Sequence, residues 1–390
     1  MSFKSIFEKY KNGTATEEEI KIIEDEIEKN ELINDYLSES VFEKIDKIDI
    51  GVEDTKGIKK AVNKKLRKIN FLSVLSVLLV FLCINYLILP AYNSLFYNPS
   101  GKLTNEFNQN KLFIDMSAFT ELHFPGYTAN EAEVEALGLG KYDVRINQEN
   151  TFTNENTVFS GKVVRNKLVT QNNNLYIFPA INIFYDIDNK SVMYEEEDDS
   201  YIYGQSKEDR ELLISKVKEL PKGSIISSYI SFNNDLSIDE LKALQEKYEF
   251  KARWVAVRTN EIYTSTKIGF DPIGSGVVLD KGTISQEVYP HFELANSAKS
   301  LRYKTETLET HFKTLLKYMS SRDDFIETFF NVNGMSTLMY SEALKYVEAN
   351  GVKIYGILLY SDVETFLNLY QDENIYTISI DNAKFSVLQR

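Results

Sequence analysis

The longest apolar run of the chain lies between residues 71 and 89. It reads FLSVLSVLLVFLCINYLIL, in which only two serines and one asparagine are strongly polar. As a helix that rises 1.5 Å per residue, these 19 residues span about 28 Å, which matches the hydrocarbon thickness of a bilayer. The pattern predicts a transmembrane helix over residues 71–90, with aromatic residues at its outer end in an interfacial belt, namely Tyr86, Tyr92, Phe96 and Tyr97.

A cluster of cations without an acid comes directly before this run, and nothing comparable follows it. Its members are Lys59, Lys60, Lys64, Lys65, Arg67 and Lys68. The positive-inside rule therefore predicts that the N-terminus is cytoplasmic and that residues 91–390 lie outside the cell. The alternative is a buried core helix of a soluble domain, but such a helix rarely carries six flanking cations. Asn85 either pairs with a second helix or lies near the outer interface.

Before the cationic cluster, apolar residues recur at helical spacing in three stretches. Phe3, Ile6, Phe7 and Tyr10 form the first, and Asn12-Gly13 indicates a helix stop. Thr16 with Glu19 forms a capping-box pattern that opens a second helix, in which Ile20, Ile23 and Ile27 share one face. The third stretch contains Leu32, Ile33, Tyr36, Leu37, Val41, Phe42 and Ile45. The pattern predicts three short amphipathic helices.

Residues 1–57 contain 16 acidic and eight basic residues, a net charge of −8. Fewer than 60 residues rarely build a core that is stable alone, so these apolar faces are candidates for burial against a partner. A small self-contained bundle or an acidic solvated tail would give the same periodicity. The candidate contacts are Phe3, Phe7, Tyr10, Ile20, Ile23, Ile27, Tyr36 and Leu37.

The region after the apolar run mixes both periodicities. β-branched and aromatic runs predict strands over Leu112 to Met116, Tyr142 to Asn147, Thr157 to Val164, Leu175 to Tyr185, Ile225 to Phe232, Phe250 to Arg258, Lys353 to Tyr360 and Ile375 to Ile380. Helical patterns cover Lys207 to Leu220, Ser237 to Leu244, Ser297 to Met319, Ser336 to Ala349 and Val363 to Leu369. The fold class is α+β, with a β-rich first half and an α/β second half outside the membrane.

Catalytic and cofactor motifs are scarce. The three histidines, His123, His291 and His311, are widely spaced without neighbouring acids, and Cys83 lies in the apolar run, so the sequence predicts no catalytic site, no metal site and no cofactor. We interpret the glycine-rich stretch 269–276 as a loop and the acidic run 195–199 as a solvated turn. A net charge of −14 argues against direct nucleic-acid binding.

These residues resemble a known family. The opening FEKYKNGTATEEEIKIIEDEIEKNELINDYL and the basic linker with its anchor look like the N-terminal module of the membrane-bound sigma-factor regulators of low-GC Gram-positive bacteria. The segments ISSYISFNNDLSIDELKAL, ARWVAVRT, IGFDP and YVEANGVKIYGILLYSDVETFLNL are similar to the family's C-terminal module, over roughly residues 220–390. Residues 130–220 carry no such resemblance.

The resemblance implies a transmembrane anti-sigma factor that sequesters an extracytoplasmic-function sigma factor and releases it when the exterior senses an envelope signal. Many anti-sigma factors use a His-x-x-x-Cys-x-x-Cys zinc motif, but residues 1–68 contain neither residue type, so the contact would be zinc-free. The expected partners are the sigma factor and membrane lipid, with a second membrane regulator or an envelope ligand left open.

The expected organisation has five parts. Residues 1–57 form a cytoplasmic helical segment, 58–70 a basic linker, 71–90 the anchor, 91–220 a β-rich region and 221–390 the C-terminal module. The main alternative function is an envelope receptor or assembly protein whose cytoplasmic helices bind another partner. An exported enzyme on the same anchor is a second alternative, which would need a convergent cluster of perturbed carboxylates.

Overall fold

The computed structural model describes residues 3–46, 55–101, 109–169, 207–261, 267–274, 279, 284–294, 303–330 and 335–385. The chain divides into two compact units, Met1–Ile84 and Asn85–Arg390. The first unit is helical, and the second combines helices with two β-sheets. The predicted α+β fold class is confirmed.

The first unit contains three helices: α1 (Phe3–Lys11), α2 (Glu17–Asp46) and α3 (Thr55–Cys83). The sequence predicted separate helices around Ile23 and Tyr36, but both residues lie in α2, so that expectation is wrong. Between them the chain has no glycine or proline, and the Asn30 amide donates to the carbonyl oxygen of Glu26 at 2.9 Å. Asn30 is accommodated within the helix in this way and does not end it.

The predicted transmembrane run is helical. The stretch Lys59–Asn93 is long and apolar enough to cross a membrane, and it runs through α3, a π-helical turn (Ile84–Ile88) and α4 (Leu89–Asn93). Pro90 accounts for the wide turn, because a proline ring clashes with the carbonyl four residues earlier, here that of Tyr86. The Ser73 and Ser76 hydroxyls donate to the carbonyl oxygens of Ile69 and Ser73 at 2.9 and 2.8 Å, so neither polar group needs water.

The second unit begins with α5 (Lys111–His123), where the sequence predicted a strand over residues 112–116. That prediction is wrong because eleven of the thirteen residues of α5 are buried. A helix that is buried on all sides does not need the exposed polar face that marks a surface helix. Its short apolar run therefore has the same sequence pattern as a buried strand. Asn110 caps the helix by accepting a hydrogen bond from the Phe113 amide at 2.9 Å.

Two antiparallel sheets form around α5. The first sheet is a meander in the order β1 (Tyr127–Gly138), β2 (Lys141–Asn150), β3 (Asn156–Val164) and β4 (Leu168–Val169). The second has the order β7-β6-β8-β5-β9, with β5 (Ser224–Leu236), β6 (Lys251–Val257), β7 (Gly269–Phe270), β8 (Ile354–Asp362) and β9 (Ile375–Phe385). Helix α5 packs against β1, β7 and a later helix, α8, so one core joins both sheets.

Six further helices complete the unit: α6 (Lys207–Lys218), α7 (Ile238–Tyr248), α8 (Thr305–Ser320), α9 (Asp323–Phe330), α10 (Thr337–Asn350) and α11 (Val363–Leu369). The predicted strands over residues 142–147, 157–164, 225–232, 250–258, 353–360 and 375–380 coincide with β2, β3, β5, β6, β8 and β9. Strand β1 and helix α9 were not predicted. The strand predicted over residues 175–185 lies outside the described residues.

A buried carboxylate ties the start of this unit to its core. Asp115 on α5 accepts hydrogen bonds from the hydroxyls of Tyr97 and Tyr318 at 2.8 and 2.6 Å and from Nε of Arg322 at 2.8 Å. Tyr97 is only 1% exposed, so its assignment to the interfacial belt is wrong. Because Tyr97 lies four residues beyond Asn93, this network fixes the segment that leaves the membrane helix.

We expect the Asp115→Ala variant to lower the free energy of unfolding of the second unit by about 3–5 kcal/mol, because it leaves a guanidinium and two hydroxyls without an acceptor in the core. The measurement is urea unfolding of the full chain in detergent, followed by the fluorescence of Trp254, the chain's single tryptophan. The control is Asp143→Ala, which removes a half-exposed pair with Lys162 at 3.4 Å and should cost less than about 1 kcal/mol. Equal losses in the two variants would contradict the role of Asp115.

Candidate partner-binding surface

Local signals fold α1 and α2 into a helical hairpin. Helix α1 ends where the sequence predicted, at Asn12-Gly13, and Gly13 takes a left-handed conformation with φ 68°. The Thr16 amide donates to the Glu19 carboxylate at 3.0 Å, and the Glu19 amide donates to the Thr16 hydroxyl at 3.3 Å. This reciprocal capping box starts α2 and satisfies two amides that a helix end would otherwise leave unpaired.

Few side chains hold the hairpin together. Ile6 on α1 and Ile23 on α2 are its buried apolar residues, 8% and 1% exposed. Lys9 on α1 forms an ion pair with Glu19 on α2 at 2.6 Å. The Lys9 ammonium, together with the Thr16 amide, lowers the pKa of Glu19. The pairing of α1 with α2 therefore depends on a small apolar contact and on the ion pair of Lys9 with Glu19.

Helix α1 also presents aromatic side chains to solvent. Phe3, Phe7 and Tyr10, spaced by four and three residues, follow one line along the helix, and they are 52%, 46% and 39% exposed. The rings of Phe3 and Phe7 stack on each other with centroids 6.5 Å apart. We call these three residues the aromatic stripe. So much exposed aromatic surface on so short a helix is typical of a contact with a partner.

Some of the predicted contact residues of α2 are buried in the structure, and others are exposed. Ile20 is half-buried, and Ile23 is fully buried, so in this structure Ile23 supports the hairpin. Ile27, Tyr36 and Leu37 are exposed. At 3.6 residues per turn, Tyr36 lies about 140° around the helix from Ile23.

Sequence reasoning left three exposed residues of α2, Ile22, Leu32 and Ile33, out of the candidate contacts. The signal for Ile22 and Ile33 was present, because positions 22, 33 and 36 recur on one face of a single long helix. Because the sequence of α2 was interpreted as two short helices, these positions were not recognised as one face. Whether any of these side chains binds a partner stays a prediction.

The cationic cluster lies at the start of the apolar stretch, on α3. All six cations, Lys59, Lys60, Lys64, Lys65, Arg67 and Lys68, are exposed. Because the cationic cluster lies at only one end of the apolar run, the helix has the charge asymmetry that sets orientation in a membrane. The orientation itself stays a prediction.

Two histidines of the second unit, His123 and His311, belong to its core. Nε2 of His311 lies 2.7 Å from Oε1 of Glu121, a neighbour that the sequence could not reveal. Burial lowers the pKa of His311, but the Glu121 carboxylate outweighs burial, and the net shift is upward. Burial lowers the pKa of His123 to about 4, so this ring is neutral, and its Nε2 lies 2.8 Å from the Tyr340 hydroxyl.

Neither histidine reaches solvent, since both are at most 2% exposed. Across the part of the chain that the structure describes, no group of three or more His, Cys, Asp or Glu side chains is placed to hold a metal ion. Within the glycine-rich stretch 269–276, Gly269 and Phe270 form strand β7 and not a loop, because their backbone pairs with β6. The acidic run 195–199 lies outside the described residues.

Comparison with known proteins adds two findings. Residues 217–382, which contain α7 to α11 and nearly all of the second sheet, match the family model of the sigma factor regulator C-terminal domain. Over 98% of its length the chain is 24% identical to the probable anti-sigma-M factor YhdL of Bacillus subtilis (strain 168), and the match covers 98% of that protein. No solved structure is significantly similar to the chain.

The buried and exposed isoleucines of α2 lead to a test of the hairpin. We expect Ile23→Asp to detach α1, because two buried isoleucines contribute only about 1.5–3 kcal/mol each and a carboxylate in their place removes that stabilisation. Hydrogen exchange of the α1 amides should then accelerate. Ile27→Asp, which changes a half-exposed isoleucine of the same helix, should leave α1 protected. Equal exchange in both variants would show that Ile23 does not hold the hairpin.

Proposed function

We propose that this chain, which belongs to the sigma-factor regulators, is a transmembrane anti-sigma factor that holds an extracytoplasmic-function sigma factor inactive at the membrane. In this proposal the N-terminal hairpin is cytoplasmic, α3 and α4 contain the anchor, and the second unit lies outside. The observation that carries the proposal is the exposed aromatic stripe of α1, on a hairpin too small to bury it. Its function is regulatory and not catalytic.

The aromatic stripe supplies the binding energy in this proposal. Complete burial of a Phe side chain contributes about 1.5–3 kcal/mol, and Phe3 and Phe7 are already about half covered. Each therefore adds roughly 1 kcal/mol when a partner covers it. A useful affinity needs several such contacts, and Ile27, Tyr36 and Leu37 on α2 extend the apolar surface.

The charge of the segment favours a basic partner. Residues 1–57 carry eight more acids than bases, so the hairpin attracts a surface that is rich in Arg and Lys. A sigma factor needs such a surface for promoter DNA, whose phosphates demand cations. Electrostatic attraction of this kind raises the association rate more than the affinity. A hairpin bound there would block access to DNA or polymerase.

The second unit is suited to receive an envelope signal. It has a continuous core, and the end of the membrane helix is part of it, because the amide of Gly140 donates to Oδ1 of Asn93 at 2.9 Å and Tyr97 is anchored on Asp115. A ligand or stress that shifts this core also moves the end of the anchor. We propose that release of the sigma factor begins with such a shift.

The aromatic stripe gives the most specific test of function. In the full chain, Phe7→Asp should weaken binding to the cognate sigma factor by about 2 kcal/mol or more, roughly 30-fold, because it places a charge in a desolvated contact. Binding is measured with purified proteins, and repression with a reporter from the sigma-dependent promoter.

Ser5→Asp is the matched control, since it adds the same charge to an exposed position about 160° around α1 from Phe7. It should bind and repress like the original chain. If Phe7→Asp represses as well as the original, the stripe is not the contact. If no small sigma factor of the source organism binds at all, an envelope receptor or assembly protein with another cytoplasmic partner becomes the better assignment.

Topology can be tested separately. Protease added to intact, wall-stripped cells should digest the region 100–390 and spare a tag on the N-terminus, because the cationic cluster retains that end in the cytoplasm. Immunodetection of tags at both ends shows which end the protease has digested. A protected C-terminus in intact cells would reverse the proposed orientation.

A further inference from the structure

The turn between β1 and β2 has an unusual composition. Gly138, Leu139 and Gly140 all have positive φ, at 80°, 55° and 68°. Leucine in this region costs roughly 1–2 kcal/mol, and an exposed turn normally uses Gly, Asn or Asp instead. Leu137 and Leu139 are nevertheless 44% and 46% exposed. A single exposed leucine is common on protein surfaces. Whether this pair of leucines has a function therefore has to be judged from what lies next to the turn.

The turn is fixed to the segment that leaves the membrane helix. Gly140 donates its amide to Oδ1 of Asn93 at 2.9 Å. A Cβ on Gly140 would lie 2.9 Å from the Phe96 ring, which therefore packs directly on this glycine. Asn93 lies four residues beyond Leu89, the last residue of the apolar run, so about 6 Å of helix separates the two. That is the depth of the headgroup layer, which is roughly 5–7 Å thick on each side of the hydrocarbon.

A second turn at the same end of the sheet carries cations. Arg165 and Lys167 of the β3–β4 turn and Lys141 at the start of β2 are exposed. The two turns touch, because the Arg165 amide donates to the Gly140 carbonyl at 2.8 Å. The nearest acid on β2, Asp143, lies two residues further along the strand and pairs with Lys162 at 3.4 Å. Leucines in one turn and cations beside them match the chemistry of a lipid interface, in which apolar acyl chains lie next to a layer of headgroup phosphates.

We propose that this end of the first sheet is a second membrane contact of the exterior: Leu137 and Leu139 enter the lipid interface beside the anchor, while Lys141, Arg165 and Lys167 meet lipid phosphates. The proposal rests on the membrane anchoring proposed above. Continuity with the end of the anchor identifies lipid as the occupant. Two contacts then fix the tilt of the exterior on the bilayer, which one flexible attachment would not.

Fluorescence quenching in proteoliposomes tests the contact with the full chain. In a Cys83→Ser background, Leu139→Cys and Val158→Cys are each labelled with an environment-sensitive fluorophore. The vesicles contain phosphatidylcholine and phosphatidylglycerol, with nitroxide on some acyl chains. Val158 is the matched control, because it is 46% exposed like Leu139 and lies on β3 about 20 Å from the turn.

The expected result is emission at shorter wavelength and stronger nitroxide quenching for the label at position 139 than for the label at position 158. Adding Leu137→Asn, which the turn tolerates, should reduce quenching at position 139. Equal quenching at the two positions would overturn the proposal, and so would quenching that Leu137→Asn leaves unchanged, since the label alone would then drive insertion.

A separate measurement tests the proposed topology. A membrane-impermeant maleimide added to intact cells should modify the thiol of the Val158→Cys variant. Absence of modification in intact cells, with modification after lysis, would contradict an extracytoplasmic second unit. The comparison of positions 139 and 158 in proteoliposomes does not depend on orientation in the cell, so the two failures are distinguishable.

Discussion

Apolar surface must be removed from water, and the parts of this chain meet that constraint in different ways. The second unit buries its apolar residues in a continuous core that contains α5 and both sheets. The stretch Lys59–Asn93 has the length and hydropathy of a membrane span, and its most apolar window is unburied, so a bilayer would remove it from water. Among the side chains that the structure describes, the hairpin of α1 and α2 buries the apolar residues Ile6 and Ile23 and leaves the aromatic stripe exposed. In the proposed function a sigma factor covers the stripe, so binding falls to the part of the chain that cannot bury its own apolar surface.

The segment that follows the membrane helix is held by groups that are costly to separate. The Asp115 carboxylate holds two tyrosine hydroxyls and one guanidinium in the core, and removal of any one leaves the others buried and incompletely paired. Because Tyr97 is one of them, the chain cannot leave the membrane helix and then move freely. The proposed release mechanism needs a junction of this kind, since a flexible linker would absorb the displacement.

Sequence reasoning succeeded where local chemistry decides structure. The capping box at Thr16 and the cap at Ser237 follow from side chains that bond to the backbone within three residues, and the helix stop at Gly13 follows from a residue that adopts positive φ without strain. It failed where tertiary packing decides. The apolar run of α5 is helical because both sheets surround it, and the role of Ile23 depends on α1 folding back over it. The pairing of Glu121 with His311 joins residues 190 apart, which one sequence cannot reveal. The exposed character of Phe3, Phe7 and Tyr10 was within reach of periodicity alone.

The most direct test of the central claim is photo-crosslinking in living cells. A benzophenone-bearing residue replaces Phe7 in the full-length chain, and the same residue replaces Ser5 in a control. If the aromatic stripe contacts a sigma factor, irradiation should link position 7, but not position 5, to one small sigma factor, and the link should disappear when an envelope stress activates that sigma factor. A chain that still represses the sigma-dependent promoter while position 7 links to no sigma factor would contradict sequestration through this surface.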